Sequence, residues 1–163
     1  MKDWKTSQKK VLAVTAIANL PPDILLHPLL QSWLIEDIGR GDRTTQSLFS
    51  SGVGVGQAEL IAKEPGIVAG LPIAARVFQL LNHQVSFVPQ VAEGQPCRKG
   101  DVLACFQGPL DALLMGERVA LNLLMRLSGI ATLTRQYVEK IADLPVQLVD
   151  TRKTTPGLRL LEK

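Results

Sequence analysis

VQLVDTRKTTPGLRLLEK, residues 146–163, changes character twice within a few positions. Val146, Leu148 and Val149 form a short apolar run of the kind a buried parallel strand shows. The run gives way at once to Asp150, Thr151, Arg152 and Lys153. Thr155-Pro156 then has the form of an N-cap followed by a proline in the first helical turn, with Leu158, Leu160 and Leu161 opening a helix. A strand, a charged loop and a helix in that order make the repeating unit of parallel α/β folds. In such folds ligands bind in the loops beyond the strand C-termini, where rigid strands hold polar groups open to solvent. Two adjacent cations at that point imply an anionic ligand.

Working back from this stretch, Leu144-Pro145 closes a long helical region. Leu110–Leu127 carries a stripe of Leu113, Leu114, Leu121 and Leu124, while Arg118, Asn122 and Arg126, four apart, share another face. Ser128-Gly129 is expected to interrupt the helix. Ile130, Leu133, Tyr137, Val138 and Ile141 then continue as a second amphipathic helix. Arg126 reads as an ordinary solvated charge.

Before Pro109 the pattern shortens to strands: QAELIAKE from Gln57, GIVAG from Gly66, VSFV from Val85 and DVLACF from Asp101. Between them Pro72–Leu81 reads as a helix with Val77, Leu80 and Leu81 inward. Glu93-Gly94-Gln95-Pro96 and Lys99-Gly100-Asp101 read as turns. Upstream, His27-Pro28 is expected to begin a helix with Leu29, Leu30, Trp33, Leu34 and Ile38 on one face, ended by Gly39. In EDIGRGDRTT, residues 36–45, Asp42 suits a polar turn, since the spacing lacks the acidic ligands of a calcium loop. Gly52, Gly54 and Gly56 follow no strand and so make a weak dinucleotide fingerprint. The expected organisation is an extension over residues 1–22, one α+β unit with a mostly antiparallel sheet over 23–109, and helices followed by a strand, a charged loop and a helix over 110–163.

Composition narrows the function classes. The 163 residues are 46% hydrophobic and 20% charged with a net charge of +3, ordinary for a globular protein. Aromatics at 4% leave little for base stacking, and no motif supports a nucleic-acid partner. Cys97 and Cys105 lack metal-ligand spacing and read as two reduced thiols. No apolar run reaches the roughly 20 residues that a bilayer span requires. Met1–Leu20 has a charged start, a short apolar run and Ala16-Ile17-Ala18, which imitate a secretory leader; a plain N-terminal extension is the preferred reading.

Taken together, EDIGRGDRTT, AKEPGIVAG, VAEGQPCRKGDVLA, GERVALNLLMRLSGIAT and VDTRKTTPGLRLLEK resemble the quinolinate phosphoribosyltransferase family, in the family's order from about residue 23 onward. The resemblance implies an N-terminal open-faced α/β sandwich followed by a parallel α/β barrel of fewer than eight strands. It implies a cytoplasmic enzyme of de novo NAD synthesis. Quinolinate and 5-phosphoribosyl 1-pyrophosphate would give nicotinate mononucleotide, pyrophosphate and carbon dioxide, with Mg2+ accompanying the donor. It also implies that Arg118, Thr151, Arg152 and Lys153 bind substrate, and that the protein is a homodimer or a higher oligomer in which Arg118 crosses into the neighbouring subunit's site. No catalytic nucleophile is assigned, and none of these residues is a metal ligand.

Family members continue through further barrel strands, so a chain ending at Lys163 is expected to be a truncated barrel, inactive alone, with metal ligands lying further on. Two rivals are weighed. One is a same-fold relative that has lost quinolinate activity and serves transport or regulation. The other is a lipoyl- or biotinyl-like carrier module suggested by VAEGQPCRKGDVLACF; its nearest candidate lysine, Lys63, is poorly flanked, and it leaves residues 110–163 unexplained.

Overall fold

The structure is a computed structural model that describes residues 20–39 and 54–163. The expectations for residues 1–19, for the turn at Asp42 and for Gly52 lie outside the described residues. In chain order the elements are α1 (Asp23–Ile38), β1 (Val55–Ile61), β2 (Gly66–Ile67), α2 (Leu71–Leu81), β3 (Ser86–Pro89), β4 (Pro96–Cys97), β5 (Val102–Pro109), α3 (Leu110–Lys140) and α4 (Arg159–Glu162). β1, β5 and β3 form an antiparallel sheet in that order, and β2 pairs antiparallel with β4. This is the mostly antiparallel arrangement that the alternation upstream of Pro109 implies.

β5 lies in the middle of its sheet because it is the strand that can be buried along its length. Leu103, Ala104, Cys105 and Phe106 are all buried, whereas β1 is exposed at most positions and makes an edge. Phe106 anchors the interior. Its ring lies 4.9 Å from Phe78 of α2 and 5.0 Å from Phe87 of β3, both tilted, the geometry aromatic quadrupoles favour. Around it close Leu26, Leu30 and Leu34 of α1, Val77 of α2, and Leu113, Ala120 and Leu124 of α3. One hydrophobic cluster therefore spans both sides of Pro109. Both cysteines are free, Cys105 buried and Cys97 half-buried.

Three local expectations are corrected. α1 starts at Asp23 and carries Pro28 inside it. Proline has no N–H for the Ile24 carbonyl, but Ile24 is 82% exposed, so water can take that acceptor and the break is avoided. α3 runs unbroken through Ser128-Gly129. A glycine in a helix interior costs only about 1 kcal/mol, and Ser128 is used as a docking point. Its hydroxyl accepts from the Ala69 N–H and donates to the Ala69 carbonyl, both at 3.1 Å. One turn on, the Thr132 hydroxyl accepts from the Ile67 N–H at 2.8 Å and donates to the Ser128 carbonyl at 2.7 Å. The side-chain face that looked like a stop signal holds β2 against the helix.

The third correction concerns the expected parallel strand. Residues 146–150 join no ladder, and Val146, Leu148 and Val149 are 55%, 49% and 77% exposed. An apolar run becomes a parallel strand only beside a partner brought by a crossover connection. Among the described residues no strand lies beside it. Downstream, α4 begins at Arg159 with Leu158 as N-cap, so Thr155 is not the helix cap either.

Gly70 and Glu93 explain how α2 is entered. Gly70 sits at φ 108°, a left-handed conformation that favours glycine, and an added Cβ would come within 3.0 Å of Leu127 Cδ1. The Glu93 carboxylate accepts from the Gly70 N–H and, at 3.1 Å, from the Leu71 N–H, satisfying amides at the helix start. Burial pushes the Glu93 carboxyl up from its ordinary range, against the lowering effect of those two N–H groups.

Candidate functional site

The polypeptide beyond α3 has little regular structure, so its shape depends on individual hydrogen bonds. Thr151 Oγ1 accepts from the Lys153 N–H at 3.1 Å, and the Arg152 carbonyl accepts from the Thr154 N–H at 3.1 Å. These bonds turn the chain tightly at the two cations. The Arg159 guanidinium reaches back and donates to the Arg152 carbonyl and to Thr154 Oγ1, both at 3.3 Å. Lys163 Nζ lies 2.7 Å from Asp150 Oδ2 and ties the loop's start to the end of α4. Gly157, at φ 83°, permits the reversal between Pro156 and Leu158.

Thr151, Arg152 and Lys153 are all exposed, and among the described residues neither cation of this pair is in a salt bridge. Arg118 is placed differently. It stands on α3, and its Nε donates to Asp37 Oδ1 and Oδ2 of α1 at 2.9 and 3.1 Å. Its side chain remains 58% exposed. The structure thus groups Thr151, Arg152 and Lys153 in one loop and sets Arg118 on α3, paired with α1.

Arg126, read from sequence as a solvated charge, is the residue that joins helix to loop. Its Nε donates to Glu162 Oε1 at 2.6 Å, and its terminal nitrogen donates to the Thr155 hydroxyl. Glu162 Oε2 accepts from the Thr155 N–H at 3.0 Å. The Thr155 N–H, with the Arg126 guanidinium adding to it, holds the Glu162 carboxyl below its ordinary value. The available signal was the shared face of Arg118, Asn122 and Arg126. What spacing could not supply was a partner on another element.

Two hollows flank this junction, and their charges differ. A cleft of about 440 Å³ between α1 and α3 is lined by Trp33, Glu36, Asp37, Asn122, Arg126 and Leu158. Two carboxylates make it a poor host for a dianion. The hollow of about 670 Å³ beside the loop is lined by Thr154, Thr155, Arg159 and Lys163, with no acidic side chain among the described residues that line it. That sign and its hydroxyls suit an anion. A resident magnesium ion does not fit these residues. Asp150 is engaged by Lys163, and no group of three or more His, Cys, Asp or Glu among the described residues could hold a metal. Among the described residues no helix is long and apolar enough to cross a membrane.

Comparison with known proteins gives a consistent picture. Residues 42–128 match the description of the quinolinate phosphoribosyl transferase N-terminal domain, and residues 130–163 that of its C-terminal domain. A probable carboxylating nicotinate-nucleotide pyrophosphorylase of Synechocystis sp. is 58% identical over 147 residues, 88% of this chain and 48% of its own length. The human carboxylating nicotinate-nucleotide pyrophosphorylase is 43% identical over 150 residues, covering 90% of this chain and 48% of its own. Among solved structures, NadC from Streptococcus pyogenes superposes with a TM-score of 0.81 at 39% identity, covering 86% of this chain and 51% of that one. The nicotinate-nucleotide pyrophosphorylase of Francisella tularensis gives 0.81 at 30% identity, over 88% and 50%. The chain spans about half the length of the curated relatives it matches.

Proposed function

Since the chain belongs to the quinolinate phosphoribosyl transferase family, we propose that its exposed cationic loop binds quinolinate for phosphoribosyl transfer from 5-phosphoribosyl 1-pyrophosphate. The observation that carries this reading is the loop itself. Its hydrogen bonds fix the backbone around Arg152 and Lys153 while both side chains stay exposed and, among the described residues, without a carboxylate partner. An acceptor with two carboxylates on a planar ring fits such a pair: arginine's fork takes one carboxylate in its plane, and lysine supplies a compact charge for the other. The Thr151 hydroxyl stands next to them.

In the reaction the acceptor's ring nitrogen forms a bond to the ribose anomeric carbon, and the bond from that carbon to pyrophosphate breaks, the electron pair leaving with pyrophosphate. The ring nitrogen is then quaternary and positive. The carbon–carbon bond to the neighbouring carboxylate breaks, carbon dioxide leaves, and the electron pair left on the ring carbon takes up a proton. The part of Thr151, Arg152 and Lys153 is to hold the dianion so that its nitrogen faces the donor, which is positioning and electrostatic work. Magnesium would accompany the diphosphate donor and supply positive charge for the departing pyrophosphate; Thr151, Arg152 and Lys153 offer it no set of ligands.

In this reading the protein is a cytoplasmic homodimer, and Arg118 enters the neighbouring subunit's site. To do so it gives up its two hydrogen bonds to the half-buried Asp37, while its own side chain is already 58% exposed. The test is calorimetric titration of the protein with quinolinate and with nicotinate, which has one carboxylate fewer. Each charge-assisted hydrogen bond contributes about 1.5–3 kcal/mol, so R152A or K153A should weaken quinolinate about ten- to hundredfold. Unchanged affinity in both variants, or equal affinity of wild type for the two acids, would overturn the reading.

A further inference from the structure

Resting on that reading of the loop, we propose that Arg126 and Glu162 are positioning residues that set acceptor affinity through Thr155 without touching the acceptor. Thr155 is held at two polar atoms from two different elements. Its hydroxyl accepts from Arg126 of α3, and its N–H donates to Glu162 of α4 at 3.0 Å. Arg126 Nε and Glu162 Oε1 close the ring at 2.6 Å. A residue held in this way cannot rotate about its own backbone without breaking a charge-assisted bond. It stands two residues from Lys153 and three from Arg152.

The rest of the loop shows why this matters. Residues 146–154 belong to no helix or sheet ladder, so no regular element fixes their course. Arg159, bonding the Arg152 carbonyl and Thr154 Oγ1 at 3.3 Å, and Lys163, paired with Asp150 at the loop's start, hold the loop from a second side. The Glu162 side chain is only 7% exposed, although α4 has four residues and none of them is fully buried. A carboxylate covered to that degree persists because it is paired and hydrogen-bonded. Arg126 differs from the loop cations in its commitments. Its guanidinium is already neutralised by Glu162, so it adds little to the field an incoming dianion meets. Its effect is transmitted as geometry, from the 31-residue helix α3 into the loop.

The experiment compares wild type with R126Q, R126K, E162Q and T155V in calorimetric titration with quinolinate and nicotinate. Trypsin cleavage after Arg152 and Lys153 is followed in parallel as a substrate-free readout of loop order. In R126Q and E162Q quinolinate binding should weaken between about tenfold and a hundredfold, as displaced positioning groups do. The quinolinate-to-nicotinate affinity ratio should fall and cleavage at Arg152 and Lys153 should accelerate, with R126K recovering part of each. T155V keeps its N–H and loses only the hydroxyl, so it reports in the same direction should R126Q fail to fold. Faster cleavage with an unchanged affinity ratio would overturn the positioning role and leave the proposed function standing. Absence of quinolinate binding by wild type would overturn both.

Discussion

Two glycines on α3 should respond with opposite sign to the same substitution. Replacing a helical glycine by alanine stabilises by about 1 kcal/mol through backbone entropy and propensity. At Gly129 nothing among the described residues lies within 4 Å of an added Cβ, so G129A should realise that gain, about 2–4 °C in Tm for a chain of this size. At Gly116 the added Cβ would stand 2.7 Å from Phe78 Cδ1 and Cε1 and 3.1 Å from Leu81 Cδ1. Phe78 is 4% exposed and packed against Phe106, so its ring must shift out of that contact, toward the hollow of about 260 Å³ that it also lines, to admit the Cβ. Overpacking of this kind costs about 1–3 kcal/mol, which leaves G116A destabilised by about 0–2 kcal/mol after the same helical gain. The contrast between the two variants is therefore about 1–3 kcal/mol whatever value propensity takes. Urea denaturation followed by far-UV circular dichroism measures it directly. In a double-mutant cycle the G116A penalty should shrink in an F78L background, where the ring is gone. If G116A were stabilised as much as G129A, the close approach of α2 and α3 that organises the core would be wrong.

Other outcomes follow from the same contacts. T132V should lower stability by about 1–3 kcal/mol, since it leaves the part-buried Ile67 N–H without its acceptor; a shift in denaturant midpoint reads this. Glu162 has a depressed folded-state pKa, so its contribution is present above the unfolded value of 4.5 and lost as pH falls through the folded one. The stability difference between wild type and E162Q should accordingly shrink on acidification below that value. Glu93, raised by burial, gives the opposite slope: its contribution falls as pH rises from 4.5 through the folded value, and E93Q should flatten that part of the profile. The 163-residue chain incubated with quinolinate and 5-phosphoribosyl 1-pyrophosphate is expected to form no nicotinate mononucleotide, because Arg152 and Lys153 stand in screening solvent beside an uncovered apolar run. Product detected by chromatography would contradict this.

What the sequence made legible was whatever local period and local sterics decide. DVLACF could be read as a strand because the apolar run after Asp101 can be enclosed, and Leu103 to Phe106 are buried without a break. LPIAARVFQLL has helical spacing and a proline at its start. VQLVD misled because an apolar run reports what can be buried, while a strand is made by its partner. Ser128-Gly129 and Pro28 misled because breaker signals are worth only a few kcal/mol at most, and tertiary contacts or solvent can offset them. At the site, the adjacency of Arg152 and Lys153 was visible in the chain itself. The bond from Arg126 to Glu162 was not, because the two lie 36 positions apart and on different elements.

The unbroken course of α3 fixes a phase as well as a distance. Arg118 and Arg126 are eight positions apart, about 12 Å along the axis and within about 80° of rotation of each other. Deleting or inserting a single residue between them would swing one by about 100° relative to the other, taking the Asp37 pair and the Thr155 clasp out of register at once. Insertion of four would turn the helix through about 400°, nearly restoring the angle while lengthening the span by about 6 Å. Length changes in this segment are thus graded by the helical pitch.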